Sequence, residues 1–302
     1  MKLRATASSQ FLSLTILSLK GLSSTTSASY FAPKIKTTSF MHHYSMGSTT
    51  SSLCQLFSTA SSDKDIFAFD LSKAEFPTLP PIPPKSKRLF LVRHGEVINP
   101  GGDRPVYYGA MDVSLSPLGE MEAKAAGAYL EQFELQHVGA SPLNRAIFGA
   151  TQVILRQREK LTPADLKIYP GFSELDRGAW CGKTKDEIGE EAMARFDACD
   201  ESVTPEGGES YPVLKKRVLS ARNEILSITE CGKASAVVSH LQVTRSMLSD
   251  AMDIPTDQMA ALKVTTASIS CIDFDSSTGA QTIHFQSFKP DFGLSKSTDG
   301  AN

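Results

Sequence analysis

Three observations predict an α/β protein, a three-layer αβα sandwich built on a mostly parallel sheet. The run Leu89-Phe90-Leu91-Val92 is apolar without alternation, as a parallel strand covered on both faces requires. Ala236-Val237-Val238 repeats that grammar far along the chain, and helical periodicities alternate with such strands in between, the pattern of βα units. In open sheets of this kind ligands bind beyond the carboxyl ends of the strands. The first run leads into Arg93-His94-Gly95-Glu96 and the second into Ser239-His240, so two imidazoles are expected at one end of the sheet.

Residues 1–62 hold no Asp or Glu, and Lys2, Arg4, Lys20, Lys34 and Lys36 are their only fixed side-chain charges, among abundant Ser and Thr. The apolar stretch 11–19 behind Lys2 and Arg4 is too short to span a bilayer and has signal-peptide length. Small residues at 25–29 offer a cleavage site, and Tyr30-Phe31-Ala32-Pro33 then opens a basic, hydroxylated stretch of transit-peptide composition. This order resembles the bipartite plastid presequences of algae with secondary plastids. Plastid delivery is therefore expected, with secretion or a mitochondrial address as alternatives. Of the 31 basic and 33 acidic residues, only five basic ones lie in this segment, which leaves the remainder at about −7. Such a balance points to neither a nucleic-acid nor a membrane-surface partner. Cys54, Cys181, Cys199, Cys231 and Cys271 show no paired spacing, so neither disulfides nor a metal site is indicated, and reduced, mostly buried thiols are expected. Pro77, Pro80, Pro81, Pro83 and Pro84 mark 63–86 as a linker ending in an extended connector. One folded domain is expected over 87–288, followed by a flexible tail, 289–302.

Beyond the first strand, the Gly- and Pro-rich loop 97–113 is long enough to suggest function. Ser116-Pro117 reads as a cap with proline at the first helical position, opening a helix that turns Leu118, Met121, Ala125, Tyr129 and Phe133 to one face. A short strand, 137–140, precedes a second cap signal, Ser141-Pro142, and a helix that exposes Arg145 in its first turn while Ala150, Val153 and Ile154 face inward. A strand over 166–169, an irregular charged stretch reaching 210, and a helix over 211–229 with Leu214, Val218, Ala221 and Ile225 inward follow. After Ser239-His240 comes a helix stopped before Pro255, then a β-branched strand over 264–272 and its hairpin partner at 282–285.

Two histidines, two arginines and a carboxylate, without metal-ligand spacing, suit phosphoryl transfer through a phosphohistidine. A neutral imidazole attacks phosphorus if its other nitrogen is held by an acceptor. Arg93 and Arg145 offer forked donors to the equatorial oxygens, and a protonated His240 adds another. The leaving alkoxide needs a proton from a carboxylic acid, for which Glu174 is the candidate.

On these residues the chain resembles the histidine phosphatase superfamily, in the branch of cofactor-dependent phosphoglycerate mutases and their phosphatase relatives. Arg93-His94-Gly95-Glu96 matches the family signature, which implies His94 as the phosphorylated nucleophile and Arg93 in the phosphate pocket. The stretch 141–146 matches the second arginine segment, implicating Arg145; 174–182 resembles the acid-bearing segment and implies Glu174 as proton donor. Ser239-His240, with Arg245 beyond, resembles the second-histidine segment and makes His240 a phosphate ligand. Leu241 stands where the family often has Gly, Val97 replaces a frequent Thr, and Asn99 lies one position early.

Asn99, Tyr108, Arg177, Ser210 and Leu241 are the expected substrate neighbours. Glu96 and Glu209 are expected to brace structure, Trp180 to pack, and His137 and His284 to be structural. No cofactor or metal is called for. The compact 171–210 region and the Pro-x-Gly-Gly-Glu-Ser segment resemble the phosphatases more than the mutases, so the expected activity is a metal-independent phosphomonoesterase acting on a small phosphorylated metabolite. A phosphoglycerate mutase and a non-catalytic phospholigand-binding protein are the alternatives. No feature specifies the substrate or the oligomeric state.

Overall fold

The computed structural model describes residues 76–157 and 160–290. The expected presequence, the first part of the linker and most of the tail lie outside them. Six strands form one sheet in the order β3-β2-β4-β1-β5-β6: β1 Ser86–Arg93, β2 Leu135–Ala140, β3 Leu166–Ile168, β4 Ala234–Ser239, β5 Ile269–Asp275 and β6 Gln281–Phe288. β1, β2, β3 and β4 are mutually parallel, and β5 runs antiparallel to β1 and β6 to β5.

The alternation of β1 accounts for the layers. Phe90 and Val92 enter one apolar cluster with residues of α1 (Pro117–Leu130) and α2 (Asn144–Arg156). Leu89 and Leu91 enter another with α5 (Tyr211–Ile228) and α6 (Leu241–Ala251). A strand buried on both faces leaves no polar side, which is why its sequence does not alternate. The result is the αβα sandwich expected.

Several elements depart from expectation. Glu122, rather than Met121, is buried on α1: it accepts the Glu96 N–H at 2.8 Å and pairs with the Lys289 ammonium, so a charge is held inside by dedicated partners. The charged stretch before Ser210 contains two short helices, α3 (Lys185–Ile188) and α4 (Glu190–Asp197), the first started by a Thr184/Glu187 capping box. β5 begins only at Ile269, and residues 264–268 form a loop. Phe76, Leu79 and Ile82 pack on the α1 face of the domain, with Phe76 5.2 Å from the Tyr129 ring and the Pro80 carbonyl accepting from Arg88 at 3.0 Å, so this end of the connector is part of the packed structure. Among the described cysteines only Cys271 is buried; Cys181 and Cys199 are half-buried and Cys231 is exposed, against the expectation of mostly buried thiols. Among the described residues no helix is long and apolar enough to cross a membrane.

Candidate active site

β1 and β4 are adjacent and in register, Arg93 opposite Ser239, so the two histidines emerge side by side at the carboxyl end of the sheet. Their rings lie 5.1 Å apart at 60°. The backbone of His94 is fixed twice, its N–H donating to the Ser239 carbonyl at 2.9 Å and its carbonyl accepting from Ala267 at 3.0 Å. Its Nδ1 lies 2.7 Å from the Gly95 carbonyl, which can only accept; Nδ1 therefore carries the proton and Nε2 the lone pair. That Nε2 is buried and has no hydrogen-bond partner among the described residues. Gly95 is required by close approach: an added Cβ would stand 2.1 Å from the Gly119 carbonyl oxygen, and one on Gly119 would stand 1.9 Å from the Glu96 carbonyl oxygen. The turn bearing His94 thus lies directly on the first turn of α1, where Ser116 caps the helix and also donates to Glu96 Oε1 at 2.8 Å.

Arg93 is 3 % exposed and donates to the Val264 carbonyl at 2.7 Å. Arg145, expected on the surface, is only 1 % exposed. Its Nη1 and Nη2 donate to the carbonyls of Met111 and Gly109 at 2.6 and 2.8 Å, and its guanidinium stands 5.4 Å from the Tyr108 ring. Both hydrogen bonds go to neutral carbonyls, so neither consumes the guanidinium in an ion pair, although Glu174 and Asp112 stand near enough to act on its charge. His240 Nε2 lies 2.7 Å from Ser141 Oγ, while its Nδ1 is buried with no partner among the described residues. Ser141 therefore serves the second histidine instead of capping α2, whose N-cap is Leu143. Burial, then the charges of Arg145 and Arg93, hold the His94 imidazole well below its ordinary pKa. Burial and Arg145, followed by His94 and Arg93, do the same to His240. Both rings are therefore neutral with the protein's own charges alone, and a phosphoryl dianion would favour the His240 cation expected from the sequence.

Glu174 is buried beside them and accepts the N–H groups of Leu175 at 2.7 Å and Gln242 at 3.3 Å, one on each oxygen. Its loop is braced by Arg217, which donates to the carbonyls of Gly171, Ser173 and Glu174 and pairs with Glu209 at 2.5 Å; Glu209 in turn accepts from the Asp176 N–H. Glu96 and Glu209 are thus braces, as expected. His137 meets the Ile228 carbonyl at 3.0 Å and His284 meets Asp273 at 2.8 Å, both away from the site.

The expected substrate neighbours divide. The Asn99 side chain is committed to its own loop, donating to the Val106 carbonyl and accepting from the N–H groups of Gly101 and Val106, so it braces the loop. Tyr108 is buried against Arg145 and supports it. Ser210 is the N-cap residue of α5, and the Leu241 side chain packs in the apolar cluster with Phe172 and Leu175, which is how a larger residue replaces glycine without filling the pocket. Arg177 lines a cavity of about 90 Å³ together with Gln242 and Arg245. Sequence reasoning missed Ser141, Gln242, Arg217 and the carbonyls of Gly109, Met111 and Val264 as parts of the site. Only Ser141 and Arg217 carry side-chain chemistry that could have been noticed.

A parallel sheet ending in two facing imidazoles, flanked by two buried guanidiniums and a carboxyl group, defines a protein of the phosphohistidine class. The comparison with known families agrees: residues 89–284 match the histidine phosphatase superfamily (branch 1), and the chain belongs to that family. It is 32 % identical over 129 residues to the fructose-2,6-bisphosphatase TIGAR B of Danio rerio, covering 43 % of this chain and 49 % of that one. It is 28 % identical over 203 residues to a 2,3-bisphosphoglycerate-dependent phosphoglycerate mutase of Cytophaga hutchinsonii, covering 65 % and 92 %. Mycobacterial relatives, 30 % identical over 190 residues, are longer, and the chain spans about half the length of these curated relatives. Among solved structures, Bacillus stearothermophilus YhfR superposes with a TM-score of 0.59 at 26 % identity, over 67 % of this chain and 97 % of that one.

Proposed function

We propose that the protein is a metal-independent phosphomonoesterase acting on a small phosphorylated metabolite through a phosphohistidine at His94. The observation that carries the reading is the buried, unpartnered Nε2 of His94, whose lone pair is defined by the Nδ1 bond to Gly95. In the first step Nε2 forms a bond to phosphorus, the ester P–O bond breaks, and a protonated Glu174 gives its proton to the leaving oxygen. In the second, water attacks phosphorus, Glu174 takes back a proton, the N–P bond breaks and phosphate departs. Arg93 and Arg145 stabilise the equatorial oxygens in both. The surrounding donor set, two guanidiniums and two imidazoles with one carboxylate already accepting two N–H groups, favours an anion over a cation.

A mutase uses the same groups and differs in returning the phosphoryl group to substrate instead of water, and the similarity to a phosphoglycerate mutase keeps that reading in play. The test is phosphate release from sugar phosphates, phosphoglycerates and an aryl phosphate, with a chelator present and His94→Ala alongside. Release that survives the chelator and is lost in the variant is expected. Isomerisation of phosphoglycerate without release would favour the mutase, and binding with neither activity would leave a phospholigand-binding protein. The composition and order of residues 1–62, which lie outside the described residues, support plastid delivery of the enzyme; a fluorescent fusion of 1–62 that stays in the secretory pathway or enters mitochondria would overturn it.

A further inference from the structure

A single planar peptide group joins the nucleophile to a carboxylate that has no part in the reaction steps proposed above. The Gly95 carbonyl, which accepts from His94 Nδ1 at 2.7 Å, belongs to the same peptide as the Glu96 N–H, and that N–H donates to Glu122 Oε2 at 2.8 Å. In a trans peptide the two groups point in opposite directions, so His94 stands on one side of the unit and Glu122 on the other. Glu122 is 1 % exposed, and its Oε1 pairs with the Lys289 ammonium, which follows β6 and also donates to the Thr266 hydroxyl at 3.2 Å. Thr266 in turn donates to Glu122 Oε1 at 3.4 Å. Helical spacing builds the arrangement: Ser116, Gly119 and Glu122 lie three apart at the start of α1, and all three meet Glu96. A neutral amide would hold the same N–H, so fastening the turn does not by itself account for a carboxylate that is costly to bury.

A charged acceptor draws the amide proton outward and shifts electron density to the carbonyl oxygen of the same peptide, because resonance couples the two and chained hydrogen bonds polarise one another. The Gly95 oxygen thereby becomes a stronger acceptor for Nδ1–H. Its strength matters, since burial, Arg145 and Arg93 all oppose positive charge on the His94 ring and, of the described groups acting on it, only the Gly95 carbonyl favours that charge. When Nε2 bonds to phosphorus and the ester P–O bond breaks, the ring keeps its Nδ1 proton and becomes positive, while the leaving oxygen takes the Glu174 proton. When water attacks and the N–P bond breaks, the electron pair returns to Nε2 and the ring is neutral again, Glu174 taking a proton from the water. We infer that Glu122 is a positioning residue for His94: acting through the peptide between Gly95 and Glu96, it holds Nδ1–H and stabilises the charged ring, and so favours formation of the phosphoenzyme over its hydrolysis. Lys289 and Thr266 offset the cost of keeping the carboxylate there. This rests on the phosphatase reading above and adds to it the group that sets the balance between its two steps.

The test is Glu122→Gln, whose amide oxygen can still accept from Glu96 although the charge is gone, and Lys289, with its side chain 30 % exposed, can turn to water. Should that variant fail to fold, Glu122→Gln combined with Lys289→Met removes both charges together and takes its place. The first readout is the His94 Nδ1 resonance of the ligand-free protein, followed by nitrogen NMR through the ring C–H protons and assigned by its loss in His94→Ala. It should move upfield as its hydrogen bond weakens. The second is the ratio of the rate constants for formation and hydrolysis of the phosphoenzyme, from rapid quench with nitrophenyl phosphate. That ratio should fall about tenfold, the lower end of what loss of an outer partner costs a histidine ligand, whereas a merely structural defect slows both steps alike. Where hydrolysis outpaces formation, the same fall is read in kcat/KM per active site titrated with orthovanadate. An unmoved resonance or an unmoved rate reading would overturn the inference and leave the phosphatase standing. A moved resonance in a protein that releases phosphate from no ester would sink the phosphatase and keep the coupling of Glu122 to His94.

Discussion

Two neutral imidazoles buried at one sheet end make the fold acid-sensitive, by an amount that can be worked out. Burial and the neighbouring guanidiniums depress the folded-state pKa of both His94 and His240 well below the ordinary 6.5. Below that ordinary value the unfolded chain binds protons that the folded chain refuses, so unfolding takes up protons and stability falls as pH falls. Each imidazole can contribute up to about 1.4 kcal/mol per pH unit in this window. Between pH 7 and pH 5 that amounts to about 2 kcal/mol for each, or about 4 for the pair, a large share of a typical total of about 5–15 kcal/mol. Urea denaturation of the wild type and of His240→Gln at pH 7, 6 and 5 isolates one ring, because the carboxylates titrate alike in both proteins. The wild-type stability relative to the variant should fall by about 2 kcal/mol from pH 7 to pH 5. A difference that stays level, or rises as the pH drops, would refute the claim that His240 is held neutral.

Three further outcomes follow from the geometry. Gly119→Ala places a Cβ 1.9 Å from the Glu96 carbonyl oxygen, which must displace the turn that holds His94; a cost of about 1–3 kcal/mol and a fall in kcat of about a hundredfold are expected, and a variant with wild-type melting temperature and rate would show that the turn can move freely. Glu174→Gln should slow alkyl phosphates by about 10²–10⁴-fold yet slow a nitrophenyl phosphate far less, since that leaving group needs no proton; an equal loss on both would remove Glu174 from the role of acid. Arg217→Met removes the brace on three carbonyls of the Glu174 loop and leaves Glu209 without its cation, and it should lower stability by about 2 kcal/mol by urea titration. A loss below about 0.5 kcal/mol, the range of ordinary surface changes, would show that the loop holds without it.

The sheet was legible because its central strands are buried on both faces. Leu89 to Val92 and Ala236 to Val238 have no solvent side to record, and the same unbroken apolar run that hides their register declares their place in the middle. Edges and exceptions were harder. β3 is an exposed edge of three residues, and β5 starts later than its β-branched composition suggests because 264–268 turn to meet Arg93, His94 and Ser287. Glu122 was invisible as a core residue because nothing local distinguishes a carboxylate whose partners, the Glu96 N–H and Lys289, come from distant segments. Arg145 misled for a similar reason. At a helix start arginine is ordinarily solvated, and its burial depends on carbonyls offered by a loop more than thirty residues earlier.

That pattern separates the two kinds of information in the site. The groups that react must be particular side chains, so His94, His240, Arg93, Arg145 and Glu174 are written in the sequence at strand ends and helix starts. The groups that aim them are largely backbone: the Gly95 carbonyl for the His94 tautomer, Gly109 and Met111 for Arg145, Val264 for Arg93, and the Leu175 and Gln242 N–H groups for Glu174. Every residue type offers a carbonyl and all but proline an N–H, so such positions leave no signature and admit wide substitution, provided the loops keep their paths. The constraint then falls on what fixes those paths, namely the Gly95 and Gly119 approach, the Asn99 loop brace and the Arg217 cage. Substitutions there should move catalysis without touching substrate.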